Sequence, residues 1–221
     1  MQVPNNMCVT HDLEPFDVLV YANIKKYMNK NTLEAWPSIT VIAKNIGCKR
    51  EKVIESIRKL NGRWFTVYKK GKKNVYSFNR KYTGFEPFSY GFLEKRDITN
   101  LAKAYILVIQ QFMFKDLKHF GKVSFTNSEL SELINMSAWE IRKCDRELLE
   151  KGYLDKIKTK LKDFNTGLPR YEKVFNLARL KQAIIWLLYE NKRLAAENNE
   201  MIDRIYKDAQ LSLKQNSKLR I

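Results

Sequence analysis

The sequence predicts a mainly α-helical protein with small β-hairpins, because one pattern of three helices and a hairpin occurs in it twice. Moving the 221-residue chain along itself by 88 positions places residues 19–24 on residues 107–112. Apolar positions of the later helices also coincide at this offset, namely Ile42, Ile46, Val53 and Leu60 with Leu130, Ile134, Ile141 and Leu148. A constant offset across three successive helical patterns is hard to obtain by chance, so we expect two similar domains in tandem.

The first domain is predicted over residues 13–80. Apolar residues recur at helical spacing in three segments, with Ser38 as an N-cap before the second helix and Gly47 as the residue that ends it. After Asn61 and Gly62 the apolar residues alternate, which is the period of a strand. The predicted elements are helices at 14–28, 38–46 and 49–60 and strands at 64–68 and 74–78, joined by residues 69–73. Three helices followed by a hairpin, or wing, is the order of a winged helix-turn-helix domain.

The second domain is predicted over residues 99–178. Ser137 and Glu140 have the spacing of a capping box, which marks the start of its third helix, and Gly152 marks the end. The predicted elements are helices at 99–118, 128–134 and 137–151, a short strand at 121–125, and hairpin strands at 153–161 and 171–177. This copy therefore repeats the winged-helix order with a longer hairpin.

Two segments lie outside the repeated units. Residues 1–12 show no periodicity and are predicted to be a flexible arm. Residues 81–98 form a connector that is rich in aromatic residues, among them Phe85, Phe88 and Phe92. Because aromatic side chains bury a large area, we expect the connector to pack on the domains and to fix their relative orientation.

A long C-terminal helix is predicted over residues 179–221. Its first part is apolar nearly all round, which indicates burial, and a heptad pattern follows it. Asparagine at a core position of a coiled coil costs stability but favours paired helices in register. The predicted dimerisation residues are Leu187, Asn191, Leu194, Asn198, Met201 and Ile205. The pattern favours a homodimer through a parallel coiled coil, and the alternative is a helix that folds back on its own chain.

The charge distribution points to a polyanionic partner. The formal net charge is +17, and residues 49–81 hold twelve Lys and Arg against two Glu. Residues 95–178 hold sixteen basic and eleven acidic residues, a net charge of only +5. A concentrated basic face is typical of a protein that binds a polyanion, and together with the helix-turn-helix pattern it predicts double-stranded DNA as the partner. The alternative is a basic surface that serves solubility alone.

Enzyme, metal and membrane functions are not expected. The cysteines (Cys8, Cys48 and Cys144) form no closely spaced pair, and the histidines are His11 and His119. This excludes a conventional zinc site, so no metal or other cofactor is expected. Cys48 and Cys144 occupy helical positions that suit small core residues. An odd number of cysteines, the lack of a signal peptide and the lack of an apolar run of about 20 residues favour a cytoplasmic protein.

The third helix of a helix-turn-helix unit enters the major groove. The positions predicted to face the bases are Lys49, Arg50, Lys52, Ser56 and Lys59 in the first domain and Trp139, Arg142, Lys143 and Arg146 in the second. Arginine and lysine suit guanine O6 and N7, and the interleaved Glu51 and Glu55 indicate sequence specificity. Trp139 has two interpretations, contact with DNA or cover of the core from the helix edge, and the second is favoured.

The hairpins are predicted to contact the DNA backbone. Lys69, Lys70, Lys72 and Lys73 surround Gly71 at the first wing tip, where they would repel one another without a nearby anion. In the second wing Lys156, Lys158, Lys160 and Lys162 alternate, which would place them on one face of a strand. The last three are the predicted contacts of this wing. The alternative for the first tip is a hairpin that is merely solvated.

The segments PSITVIAKNIG and CKREKVIESIRKL, followed by a strand that ends in NVYSF, resemble the tandem winged-helix proteins of phages and plasmids. These proteins include MarR-like and GntR-like regulators and the DNA-binding part of replication initiators. The similarity covers residues 13–80 and, less closely, residues 99–178. It implies duplex DNA binding through the third helix and the wing of each unit.

Three functions are compatible with this sequence. The first is a sequence-specific DNA-binding regulator of transcription, with RNA polymerase as a further partner. The second is a replication initiator that binds repeats at an origin and recruits replication proteins. The third is a phage structural or assembly protein whose winged helices and coiled coil make protein contacts only. A fold alone does not decide among them.

Overall fold

The computed structural model describes residues 1–10, 13–78, 84–113, 121–162, 167, 169–176 and 179–180. The predicted dimerisation residues Leu187, Asn191, Leu194, Asn198, Met201 and Ile205 lie outside these residues, as does the C-terminal helix predicted around them. In chain order the elements are β1 (Gln2–Pro4), α1 (Met7–Thr10), α2 (Pro15–Lys25), β2 (Glu34–Ala35), α3 (Ile39–Ile46), α4 (Arg50–Leu60), β3 (Thr66–Lys70), β4 (Lys73–Ser77), β5 (Phe85–Pro87), α5 (Tyr90–Leu93), α6 (Asn100–Ile109), a 3-10 turn (Gln110–Phe112), β6 (Lys122–Val123), α7 (Asn127–Ile134), α8 (Ala138–Glu150), β7 (Leu154–Lys162) and β8 (Pro169–Phe175).

The first copy of the repeat folds in the predicted order, from α2 to β4. The Ser38 hydroxyl accepts a hydrogen bond from the Val41 backbone N–H, which satisfies a donor that the start of α3 would leave free. Gly47 ends α3 with a φ of 73°, a left-handed conformation that favours glycine, and the chain turns there into α4. The sheet has the antiparallel order β2-β4-β3. Its strand β2 lies between the first two predicted helices, where the sequence predicted no strand.

The second copy repeats this order at the same offset. β6 lies 88 positions after β2, and α7 lies 88 positions after α3. The sheet order β6-β8-β7 is the counterpart of β2-β4-β3. Asn135, the counterpart of Gly47, is also left-handed, with a φ of 50°. Because asparagine tolerates this conformation better than most residues, the same helix-to-helix turn forms in both copies.

The two copies share one hydrophobic core. Residues 17–24 of α2 and residues 102–109 of α6 are all buried. A helix that is buried on every side needs packing partners on every side, and α2 makes its most extensive helix contact with α6. Residues 1–182 accordingly form one compact unit. The sequence predicted two domains in tandem, and the structure joins them through one core in which the first helix of each copy packs on the other.

Residues 1–10 are not the flexible arm that the sequence predicted over residues 1–12. β1 pairs antiparallel with β5, and Val3, Met7 and Cys8 are buried. The Met1 ammonium donates a hydrogen bond to the Phe88 carbonyl oxygen at 2.7 Å. The partner strand of this segment is more than 80 positions away, so no local pattern indicates it. With this sheet, the described residues combine helices with three small antiparallel sheets, a more mixed fold than the mainly α-helical one predicted.

The described part of the connector packs on both copies. Phe88 and Phe92 are buried, and their ring centroids lie 5.8 Å apart. Lys26, just after α2, forms a 2.7 Å ion pair with Glu94. Lys103 of α6 donates through Nζ to the Leu93 carbonyl oxygen at 3.2 Å. The connector is therefore part of the folded body and contacts the first helix of each copy.

Candidate nucleic-acid interface

The rotation of α4 about its axis decides which of its side chains face outward. Three apolar residues, Val53, Ile57 and Leu60, and the polar Ser56 define its buried side. Successive helical residues differ by about 100°, so the opposite side carries Glu51, Glu55 and Arg58, and all three are exposed. Lys49 and Arg50, at the start of the helix, are exposed as well. Arg58 was absent from the predicted contacts, although the same rotation measured from Val53 would have indicated it.

Ser56 and Lys59 do not belong to this outward face, contrary to the prediction. Ser56 is 2% exposed, and its hydroxyl donates to Asp17 Oδ1 of α2 at 2.5 Å. Lys59 Nζ lies 3.7 Å from Asp17 Oδ2 and within 3.8 Å of carboxylate oxygens of Glu14 and Glu55. Burial favours the neutral amine, but these carboxylates outweigh it and raise the pKa of Lys59. Both side chains hold α4 on α2, which makes them structural.

Lys52 lies on the side of α4 that borders the second copy. Its Nζ is 4.2 Å from the centroid of the Phe16 ring, a cation–π contact. It also lines a cleft of about 500 Å³ together with Cys48 of the first copy and Met136 and Glu140 of the second. Cys48, predicted to be a core residue, is half-buried at this cleft. Lys52 is exposed, but it belongs to the border between the copies rather than to the outward face of α4.

The outward face of α8 brings together all four residues predicted for it. Trp139, Arg142, Lys143 and Arg146 have the spacing of one helix face, and all are exposed. Trp139 is 63% exposed, so its interpretation as a cover for the core is wrong. Lys143 Nζ lies 5.3 Å from the centroid of the Trp139 ring. This face combines an aromatic ring with three cations, a set of groups suited to bases and phosphates.

A buried charged cluster anchors α8 beneath this face. Asp145 is 1% exposed, and its Oδ2 lies 3.0 Å from Lys173 Nζ of β8 and 3.3 Å from Lys156 Nζ of β7. The Tyr105 hydroxyl of α6 donates to Asp145 Oδ1 at 3.1 Å. Burial, assisted by the Asp145 charge, raises the pKa of Tyr105 well above its usual value. Burial lowers the pKa of Lys173, although Asp145 opposes this shift. The cluster ties α8 to its wing and to α6.

The first wing ends in a two-residue turn formed by Gly71 and Lys72. Gly71 has a φ of 60°, which this kind of tight turn requires. The strands extend to Lys70 and Lys73, closer to the tip than the sequence predicted. The four lysines of this tip, Lys69, Lys70, Lys72 and Lys73, are exposed. Within the described part of the chain none of them has an ion-pair partner. Four free ammonium groups on one hairpin tip suit the phosphates of a DNA backbone.

The second wing is longer and less regular. Lys158 and Lys160 are exposed and form no ion pair with any described residue. The strand pairing shifts between Lys158, which lies opposite Tyr171, and Lys162, which lies opposite Pro169. This irregularity interrupts the alternation from which a single lysine face was predicted. The side chain of Lys162 lies outside the described part of the chain.

The sequence also predicted no metal site and no membrane-spanning segment, and it predicted Cys48 and Cys144 to lie in the core. The described ranges contain no group of three His, Cys, Asp or Glu side chains that could hold a metal ion. In these ranges no helix has the length and apolar character needed to cross a membrane. Cys8 and Cys144 are buried, and burial raises the pKa of both thiols to about 12. The burial of Cys144 agrees with its predicted place in the core.

Comparison with known families adds to the geometry of the first copy. Residues 11–63 match a family described as a helix-turn-helix domain. The matched span holds α2, α3 and α4 and ends before the first wing. The match supports a helix-turn-helix DNA-binding domain at this position. A search of curated proteins finds no match to the chain.

Proposed function

We propose that the protein is a sequence-specific double-stranded DNA-binding protein that regulates transcription through two winged helix-turn-helix units in tandem. The family match at residues 11–63 supports DNA binding, and the repeated element order supports a second unit of the same kind. The observation that carries the proposal is the exposed face of α8, where Trp139, Arg142, Lys143 and Arg146 form one cationic and aromatic surface.

The face of α8 has the groups needed to distinguish base pairs in the major groove. Arg142 and Arg146 lie about one helical turn apart, so they reach neighbouring base pairs. An arginine that bonds to guanine O6 and N7 contributes about 1–3 kcal/mol of discrimination against another base. Trp139, in the first turn, supplies an apolar ring for a thymine methyl group or a sugar.

The face of α4 contributes differently. Lys49, Arg50 and Arg58 are available to phosphates or to guanine, whereas Glu51 and Glu55 repel phosphates. A carboxylate in the major groove accepts a hydrogen bond from a cytosine amino group. In this proposal α4 therefore disfavours sequences that offer no hydrogen-bond donor to Glu51 and Glu55. The lysines of the two wings add affinity for any sequence.

Dimerisation through the C-terminal segment remains part of the proposal. A homodimer would carry two pairs of units and would favour sites that occur as repeats or palindromes. The residues predicted for this contact, from Leu187 to Ile205, remain predictions, as does RNA polymerase as a further partner.

Selection of bound sequences from a random duplex pool at about 150 mM salt, a physiological ionic strength, tests this function. The expected result is one enriched motif, which disappears when the Arg142→Ala/Arg146→Ala variant is used. The Lys44→Ala variant, which changes an exposed lysine on α3, should keep the motif. Retention of DNA without any enriched motif would exclude a sequence-specific regulator. No retention at all would favour an assembly protein.

A further inference from the structure

Among the described residues, two hydrogen bonds join the two copies, and each bond links segments that are equivalent to those linked by the other bond. The Asn100 side-chain amide, at the start of α6, donates to the Ile46 carbonyl oxygen at the end of α3. The Asn135 side-chain amide, just after α7, donates to the Leu13 carbonyl oxygen, just before α2, at 3.4 Å. Shifted by 88 positions, Ile46 and Leu13 fall next to Asn135 and Asn100. Each contact is therefore the counterpart of the other within one residue.

The cleft between the copies has the same symmetry. Three pairs of equivalent residues line it, Cys48 with Met136, Lys52 with Glu140, and Phe16 with Ala104. The contact of α2 with α6 also joins equivalent elements. Copies related by translation touch through different surfaces, whereas copies related by a two-fold axis touch through the same surface. The reciprocal contacts therefore indicate an approximate two-fold axis that passes between α2 and α6 and through the cleft.

The cleft also locates the starts of the two third helices. Cys48 and Met136 immediately precede the N-caps of α4 and α8, which are Lys49 and Ser137. Both helices therefore begin beside the two-fold axis, at the same end of it. A duplex that lies across this end meets the two copies in opposite orientation, as a palindrome meets the two subunits of a dimer.

The two halves of such a site differ, because α4 carries different residues at the positions equivalent to the exposed face of α8. Glu51 is replaced by Trp139, Ile54 by Arg142, and Glu55 by Lys143, while Arg58 and Arg146 coincide. We propose, resting on the DNA-binding function above, that one chain recognises a composite duplex site of two unlike half-sites in inverted orientation. The starts of α4 and α8 lie at the centre of this site, and the wings lie toward its two ends.

Cleavage of the bound duplex by tethered iron–EDTA tests this arrangement. Single cysteines are introduced into full-length Cys48→Ala protein as Lys72→Cys in the first wing, Lys49→Cys at α4, Ala138→Cys at α8 and Lys160→Cys in the second wing. All four positions lie at or near the surface, and the remaining native thiols, Cys8 and Cys144, are buried. Cys48→Ala protein without an introduced cysteine, treated with the same reagent, is the control. Each label cuts the selected duplex near its own position.

The order of the cuts along the duplex decides the matter. The expected order is first wing, α4, α8, second wing, with both helix labels inside both wing labels. The order first wing, α4, second wing, α8, or the order α4, first wing, α8, second wing, would show that both copies lie on the duplex in the same orientation. Either order would overturn the inverted arrangement while leaving specific DNA binding intact. Uniform cutting of every duplex would overturn the proposed function and this inference together. A second chain bound to the same duplex gives its own set of four cut positions. The order of the labels is determined separately within each set.

Synthetic palindromes test whether the half-sites are unlike. Two inverted copies of the half-site next to α8, or of the half-site next to α4, are expected to bind at least about tenfold more weakly than the composite site, because one of the two third helices then faces mismatched base pairs. Equal binding by either palindrome would overturn this part of the inference.

Discussion

The third helices of the two copies, α4 and α8, occupy the same place in the same fold and present opposite surfaces. At the four positions equivalent to the exposed face of α8, α4 carries Glu51, the half-buried Ile54, Glu55 and Arg58, whereas α8 carries Trp139, Arg142, Lys143 and Arg146. The formal charge of the four positions is −1 in α4 and +3 in α8. The net charge of the two copies differs in the opposite sense, because the first copy has the larger excess of lysine and arginine over acidic residues. Total charge therefore does not indicate which helix has the more cationic outward face.

The largest effect is expected from the buried carboxylate beneath each third helix. Asp145→Asn leaves the buried Lys173 ammonium without its counter-charge and should lower the free energy of unfolding by about 3–5 kcal/mol. Asp17→Asn should cost less, about 1–3 kcal/mol, because Asp17 is bonded to a neutral hydroxyl and lies 3.7 Å from the nearest lysine, which is partly exposed. Urea denaturation of the two variants measures the difference. Equal losses would contradict the unequal roles of the two carboxylates.

The pH dependence of the Asp145→Asn variant sharpens this test. Burial lowers the pKa of Lys173, and removal of the Asp145 charge removes the main effect that opposes this shift. Between the pKa of Lys173 in the folded variant and the unfolded value of about 10.4, the unfolded state binds more protons. Stability then rises with pH, so part of the loss at pH 7 should be recovered at pH 10. A loss of the same size at both pH values would exclude Lys173 as its source.

The next effect compares DNA affinity after matched changes on the two helices. Arg142→Ala/Lys143→Ala/Arg146→Ala should weaken binding to the selected site about 100-fold or more, at roughly 1 kcal/mol or more for each contact. The matched control is Ile54→Ala/Glu55→Ala/Arg58→Ala, which changes the positions 88 residues earlier and leaves the net charge unaltered. Its effect should stay below about tenfold, because a repelling and an attracting charge are removed together. Fluorescence anisotropy measures both. A larger loss from the α4 variant would reverse the roles assigned here.

Among the described residues, the first wing has four exposed lysines without an ion-pair partner and the second wing has two, Lys158 and Lys160. This difference should appear in the salt dependence of binding. Replacing Lys69, Lys70, Lys72 and Lys73 with alanine should weaken binding to all duplexes alike. It should also reduce the slope of log K against log salt by about 0.9 for each lost phosphate contact. Replacing Lys158 and Lys160 should reduce the slope by about 2 at most. Titrations at several salt concentrations give these slopes. An unchanged slope for the first-wing variant would show that its tip does not contact phosphate.

The smallest effect is a gain of affinity. Glu51→Gln/Glu55→Gln removes two carboxylates from the outward face of α4 and should strengthen binding to unrelated DNA by about three- to tenfold, because electrostatic repulsion is relieved. The preference for the selected site over unrelated DNA should fall accordingly. Competition binding with both duplexes measures this ratio. Weaker binding to unrelated DNA would show that the carboxylates do not face the duplex.

The three helices of each copy and their caps could be predicted from the sequence because both depend on nearby residues. Ser38 and Ser137 cap the helices that they were expected to cap, and the offset of 88 positions recurs in β2 and β6 and in the turns at Gly47 and Asn135. The mistaken assignment of Ser56 was also avoidable, since its angle from Val53 places it near the buried side of α4.

The remaining features depend on tertiary contacts that no local pattern contains. β1 pairs with a strand more than 80 residues away, and α2 is buried all round because α6 lies against it. The exposure of Trp139 was misjudged for the same reason, because a large aromatic residue near a helix edge is covered only if a neighbouring element reaches it. No described element covers it, and 63% of the residue is exposed.

The unlike faces of α4 and α8 on a two-fold framework give the bound complex a direction. A homodimer on a perfect palindrome has two equivalent flanks, so a neighbouring protein meets the same surface from either side. On the composite site proposed here, the flank beside α8 and the flank beside α4 differ. Each chain then sits on its site in one orientation only, and turning the whole site around in a promoter exchanges which of the two flanks faces the start point.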